Sequence, residues 1–373
     1  MSRLSCRERL KRVFRCEPVD RVPIRIWGVD PMFRSAEPTW EPLYEMTEQH
    51  ELDIIRHWGP SAEEQPPPAI ESRSERRDSA KPDMWEVETI LQTPAGPITT
   101  VHYQPQSGAP GYVKKHTIET VEDARRWLSI PRTPAETGTD SYFELERQTG
   151  DRAMLMVGLG EAMYAVQAHM GSELFGFWLR EERELLREMM DAAYGEIEAL
   201  AKQYLAAGVG DAYGWVGPEL CIPPLASPQD FRDFVTPYDG RLIGLIHDAG
   251  KLAWIHCHGD MNPVLEDFVE MGLDCLNPME PPPMGKLTLA EAKQRVGGRM
   301  CLEGGIEDGD FDLLHPKQIA AKTEAVMAMG KPGGGFILCP SSSPGTWTKQ
   351  TERHIANYRA YVETAVALAP YED

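Results

Sequence analysis

The chain has 373 residues, is 42% hydrophobic with nine tryptophans, and carries a formal net charge of −20. Such a length buries a large core and suits one barrel-sized domain spanning residues 1–373. The negative charge excludes the basic face that phosphate neutralisation needs, so no nucleic-acid partner is expected. No apolar run reaches the roughly 18 residues that span a bilayer, and the stretch from Met1 to Leu10 is charged and lacks the apolar core of a secretory signal. A cytoplasmic protein without membrane contact is the expectation. The seven scattered cysteines are an odd number and suit reduced thiols better than a disulfide framework.

Ser5 and Glu8 have capping-box spacing and predict a helix from Ser5 to Phe14, stopped by Pro18. Residues 20–27 read as a first strand, 39–50 as a helix and 52–55 as a short apolar run. Residues 60–82 contain three consecutive prolines, Pro66 to Pro68, and mixed charge, which reads as a loop. The runs 85–91, 98–103 and 112–118 alternate with Pro/Gly turns, and predict an antiparallel β-meander inserted near residues 84–118. A short helix ending near Leu128 leads to a linker at 131–134.

From residue 140 the rhythm changes to helices alternating with short apolar strands, the pattern of a helix-covered parallel sheet. Strands are expected at 153–157, 211–216, 252–257, 275–279, 300–303 and 335–339. Helices are expected at 180–206, with one apolar stripe, at 227–248 from the Ser227 cap and Pro228, at 320–329 and at 352–368. Seven to eight such units without a Gly-x-Gly-x-x-Gly turn favour an α/β (β/α)8 TIM barrel, whose active site lies at the strand C-termini.

Residues at those ends are Glu161, Glu219 with Cys221, His256-Cys257-His258, Glu280, Glu303, and Cys339 with Ser341 to Ser343. Carboxylates, imidazoles and thiols from separate strands suit a zinc-like ion or general acid/base work. Side chains alternate along a strand, so His256 and His258 share one face and Cys257 takes the other. Metal ligation and hydrogen bonding to a polar substrate are both open for the two histidines. Pro281 to Pro283 would hold Glu280 rigidly, and Gly304 and Gly305 would let a ligand approach Glu303 closely. Cys301 shares the face of Glu303 as a reserve ligand. Trp215, Ser341 and Ser342 are candidates for contacting substrate; no base is adjacent to the serines, which argues against a serine nucleophile.

Several segments together resemble the uroporphyrinogen decarboxylase superfamily: Arg7-Glu-Arg-Leu-Lys11 through Asp20-Arg-Val-Pro23, Pro223-Pro-Leu-Ala-Ser-Pro228, the histidine strand with Gly259, Asp274-Cys-Leu-Asn-Pro278, Glu303-Gly-Gly-Ile306 and Gly334-Gly-Phe-Ile-Leu-Cys-Pro340. The resemblance implies a (β/α)8 barrel and one of two chemistries, cofactor-free porphyrinogen decarboxylation or zinc-dependent methyl transfer involving a corrinoid protein. In place of the decarboxylase's arginine-rich signature the chain has Trp27-Gly-Val-Asp-Pro-Met-Phe-Arg34, and Arg56-His-Trp-Gly59 stands where its aspartate belongs. The methyltransferase branch resembles the chain better, although His258 replaces one thiolate of its His-x-Cys-Gly strand and Ser342 stands at the second, three residues after Cys339.

The resemblance therefore implies a zinc-dependent, methyltransferase-like enzyme acting on a small methylated compound such as a methoxylated aromatic, with a corrinoid protein as methyl acceptor. His256 and His258 would hold Zn²⁺ with help from Glu280, Glu303 or Cys339. Glu219 would orient substrate or act as general acid beside His256 and Glu303. The superfamily often forms homodimers, which is the expectation here. A metal-free decarboxylase and a non-catalytic barrel relative are the alternatives.

Overall fold

A computed structural model describes residues 3–132, 136–344 and 349–371, so Thr133 and Pro134 of the expected linker lie outside the described residues. Helix α1, Cys6–Phe14, begins where the sequence places it: the Ser5 hydroxyl accepts a hydrogen bond from the Glu8 N–H at 3.2 Å. Its apolar side, Cys6, Leu10, Val13 and Phe14, packs on Met154, Met156, Ala212, Leu252 and Trp254. These five belong to one face of a seven-stranded, all-parallel, curled sheet.

The strands are β1 (Ile55–Trp58), β6 (Met154–Gly158), β7 (Ala212–Val216), β8 (Leu252–His256), β9 (Cys275–Met279), β10 (Cys301–Ile306) and β11 (Phe336–Pro340), hydrogen-bonded in that order. Between β6 and β11 each strand is followed by at least one helix before the next begins. The helices bury the outer face, where Leu155, Val157, Tyr213, Trp215, Ala253 and Ile255 join the main apolar cluster. In-register parallel pairing brings the C-terminal ends to one rim, so side chains there can converge from different strands.

The expected first strand is reduced. Residues 22–26 make only an isolated parallel bridge, Ile24 to Leu338 of β11. Pro23 has no N–H to donate to a ladder, and the Ile24 N–H is taken by the Asp53 carboxylate at 3.1 Å. The segment still touches both edges of the sheet: Arg25 N–H donates to the Leu338 carbonyl at 3.0 Å, and the Asp53 N–H, just before β1, donates to the Ile24 carbonyl at 2.8 Å.

The meander is larger than expected. Strands β2 (Ser72–Asp78), β3 (Met84–Thr93), β4 (Gly96–Pro105) and β5 (Tyr112–Lys115) form a separate antiparallel sheet, and β2 lies inside the stretch that reads as a loop. All seven β2 residues are exposed, so no apolar alternation announces it. Its charged side chains suit an edge that must resist pairing with other chains. Ile118, just past β5, donates its N–H to His169 at 2.9 Å and ties this sheet to the helix Ala162–Glu181.

The helix expected at 227–248 is two, Pro228–Phe234 and Thr236–Asp248. Ser227 caps the first in a full capping box with Asp230. The chain breaks at Val235 because Pro237 has no N–H and its ring crowds the preceding turn. The long helix is Arg183–Ala207, and the last runs Glu352–Leu368 as expected. Among the described residues no helix is long and apolar enough to cross a membrane.

Candidate functional site

Leu252, Trp254 and His256 alternate onto the inner face of β8, and Trp254 lies under the His256 ring with centroids 5.9 Å apart. Cys257 is fully buried in the outer apolar cluster, as alternation requires. His258 follows in the loop, its ring edge-on to His256 at 4.4 Å between centroids. Each imidazole has one nitrogen occupied. His256 Nδ1 is 2.8 Å from Asn277 Oδ1 on β9, and His258 Nδ1 is 2.8 Å from Glu280 Oε1. The second Glu280 oxygen accepts the Gly259 N–H at 2.8 Å, which locks the carboxylate in place. An amide oxygen can only accept, so His256 carries its proton on Nδ1, and among the described residues neither Nε2 has a hydrogen-bond partner.

The two rings are tuned apart. Burial pushes the His256 imidazole down to about 4, against the opposing hydrogen bond to Asn277. The hydrogen bond to Glu280 raises His258 above the ordinary imidazole range, outweighing burial. Burial would raise Glu280, but its hydrogen bonds from His258 and Gly259 hold it below the usual carboxylate range. Glu219 lies in the turn Pro218–Cys221 after β7, where its carboxylate accepts the Gly217 N–H at 3.1 Å. Burial raises Glu219, and nearby His258 opposes the shift. The rim therefore holds a neutral imidazole, a second imidazole that favours its proton, and two carboxyl groups of different proton affinity.

Glu303 is placed elsewhere. It is fully buried on β10; Arg25 Nη1 pairs with one of its oxygens and the Trp254 indole N–H donates to the other at 2.9 Å. Trp254 lies between His256 and this carboxylate, so Glu303 belongs to a layer below the histidines, where its charge is matched by Arg25 and each oxygen already accepts a hydrogen bond. Cys339 is fully buried in the same layer, where burial and the Glu303 charge push its thiol well above the ordinary range. The reserve thiol, Cys301, is fully buried opposite Cys275 in the β9–β10 pairing. Among the described residues no group of three His, Cys, Asp or Glu side chains is arranged to hold a metal. Of the expected set, His256, His258 and Glu280 come together with Glu219 near them, and Glu280 reaches His258 through Nδ1.

The substrate candidates also move. Trp215 faces the outer layer, its indole N–H donating to Asp239 at 2.9 Å, because Ala212 and Gly214 hold the inner positions of β7. A side chain at Gly214 would sit 2.5 Å from Met156 Sδ and 2.9 Å from the Trp254 ring. Ser341 is buried and its hydroxyl accepts the Asp308 N–H at 3.0 Å, fixing the turn after β10. Ser342 is exposed and lines a cavity with Asp308, Phe311, His354 and Tyr358, beneath the helix Glu352–Leu368. Glu161 caps the helix Ala162–Glu181 through its own carboxylate and is buried near Asp239.

Four residues of the inner face escape sequence reasoning. Asn277 orients His256, Arg25 neutralises Glu303, Trp27 packs edge-on to His256 at 4.9 Å, and His57 faces Trp254 at 6.3 Å. Asn277 had a usable signal, since it alternates with Cys275 along its strand. The pairing of Arg25 with Glu303 had none.

A curled parallel sheet with imidazoles, an amide and carboxylates gathered at its strand C-termini has the plan of an α/β enzyme site. Residues 89–364 match the uroporphyrinogen decarboxylase (URO-D) model, and the chain belongs to that family. A uroporphyrinogen decarboxylase from Nocardia farcinica is 29% identical over 136 residues, a stretch covering 34% of this chain and 37% of that enzyme's own length. Among solved structures, a methyltransferase from Methanosarcina mazei superposes with a TM-score of 0.59 over 97% of this chain and 98% of that one, at 16% identity. That likeness is one of fold.

Proposed function

We propose that the chain is a zinc-dependent, methyltransferase-like enzyme that moves a methyl group from a small methylated compound to a corrinoid protein, and that its sheet and the 22–26 segment together form an eight-stranded barrel. One observation carries the reading. Both histidines have Nδ1 tied to a side-chain acceptor and Nε2 unpartnered, which is how metal-ligating histidines are usually oriented by their surroundings. The pair fits a borderline cation taking nitrogen donors, with Asn277 and Glu280 as outer supports; a thiolate-rich site does not fit, since Cys257 and Cys339 are buried away from it. A bound Zn²⁺ would act as a Lewis acid towards a substrate oxygen.

The chain's own groups do the rest. Asn277 fixes the His256 ring, Glu280 fixes His258, and Glu219, raised by burial, can hold a proton for the departing oxygen. A second reading rests on the proton-rich His258–Glu280 pair, which could protonate a carbanion in a metal-free decarboxylation. Elemental analysis separates the two. Protein purified from zinc-supplemented medium is expected to hold zinc that His256→Ala or His258→Ala removes, while Asn277→Ala weakens it by about 10–100-fold. Turnover that survives chelation, in protein free of metal, would sink the first reading in favour of the second.

A further inference from the structure

The seam between residues 25–33 and β1 encloses a cavity of about 210 Å³, lined by Arg25, Trp27, Asp30, Phe33, Arg56 and His57, among others. Its lining is charge-balanced group by group. Arg25 is spent on Glu303, while Arg56 grips Asp30 through two hydrogen bonds of 2.6 and 2.8 Å and also reaches Thr149 at 2.7 Å. His57 is the one exposed residue of β1, yet protein surrounds it closely enough that burial, aided by Arg25, pushes its imidazole down to about 4. Among the described residues neither of its ring nitrogens has a hydrogen-bond partner. A neutral imidazole offers one donor and one acceptor, and at this cavity wall both are without a partner among the described residues. Trp27 connects this seam to the rim, since its ring packs against both His256 and Trp254, the latter at 5.7 Å between centroids.

We infer that the seam receives the body of the substrate, and that this body is an uncharged ring bearing a hydroxyl or ether oxygen, laid against Trp27 and hydrogen-bonded by His57. The inference rests on reading the inner rim as the substrate site. A carboxylate would enter without an uncommitted guanidinium to meet it, and would lose its hydration uncompensated. An uncharged oxygen meets the imidazole, and a flat ring meets the indole.

The test is equilibrium binding, read by tryptophan fluorescence, of 2-methoxyphenol against 2-methoxybenzoate at neutral pH. The phenol is expected to bind about tenfold or more tightly than the benzoate, as an unpaired buried charge costs more than a tenfold step of about 1.4 kcal/mol. His57→Ala should weaken the phenol by about tenfold, the loss of one good hydrogen bond, and His57→Gln should restore part of it. Equal or tighter binding of the benzoate, no binding of either compound, or a His57→Ala variant with unchanged affinity overturns the inference. The measurement needs neither metal nor methyl acceptor. A protein that binds as expected but transfers no methyl group refutes only the functional reading, and one that transfers methyl groups but prefers the benzoate refutes only this inference.

Discussion

Glu280 and Glu303 are two carboxylates that the sequence places alike at strand ends, yet Glu280 follows the end of β9 while Glu303 lies inside β10, one layer below. Glu280 is at the rim, shared between the His258 ring and the Gly259 N–H, and belongs to groups that can change protonation. Glu303 is sealed below Trp254 against Arg25. The partner separates them: a carboxylate beside an imidazole with a free nitrogen is able to exchange a proton, whereas one matched to a buried guanidinium holds the inner layer together.

The largest effect should come from breaking the lower pair. Glu303→Ala leaves Arg25 buried without a counter-charge and is expected to cost about 3–5 kcal/mol in urea denaturation. An Arg25→Met/Glu303→Leu double variant should recover most of that loss, because neutral replacement of a buried pair is often tolerated. A double variant as unstable as Glu303→Ala would show that the layer depends on more than charge matching.

Acid sensitivity comes next. His256 and His57 are both held at about 4 against an ordinary 6.5, so the unfolded chain binds more protons than the folded one between those values. The share of stability contributed by these two histidines should therefore be lost as pH drops from about 6.5 to about 4, by up to one proton each, while Asp239 and Asp308, raised by burial to about 7 and about 6, contribute with the opposite sign. His256→Asn should halve this share of the slope; an unaltered urea midpoint profile would contradict the assignment.

The smallest effect is at Glu280. His258 is raised, so its contribution is complete below the ordinary 6.5 and fades as pH rises through its folded value; Glu280 is lowered, so its contribution is complete above the ordinary 4.5 and fades on acidification. The gap in Tm between the parent protein and Glu280→Gln should be widest between about pH 4.5 and 6.5. A gap that does not vary with pH would detach Glu280 from His258.

Much of this arrangement is legible in the sequence, unevenly. Helix caps at Ser5 and Ser227 are local signals, and the histidines at the end of β8 could be placed by alternation alone. For Trp215 alternation does not suffice, because it says which residues share a face but not which face is inner; in β7 the large Tyr213 and Trp215 point outward and Gly214 points in. Arg56 and His57 interrupt the apolar run that reaches β1 at Ile55, so the sequence shows only the start of this strand and not the inward placement of His57. Arg25 and Glu303 are 278 positions apart, so only the folded sheet reveals their pairing.

Gly214 turns this geometry into a rule for redesign. With Met156 Sδ at 2.5 Å and the Trp254 ring at 2.9 Å from where a methyl group would stand, the missing side chain is the notch in which the indole rests. Gly214→Ala would act as a wedge between the Met156 side chain and the indole, so that one of them must shift. A single carbon atom, added beside the ring on which His256 rests, would alter the floor of the chamber and so the size of molecule it admits.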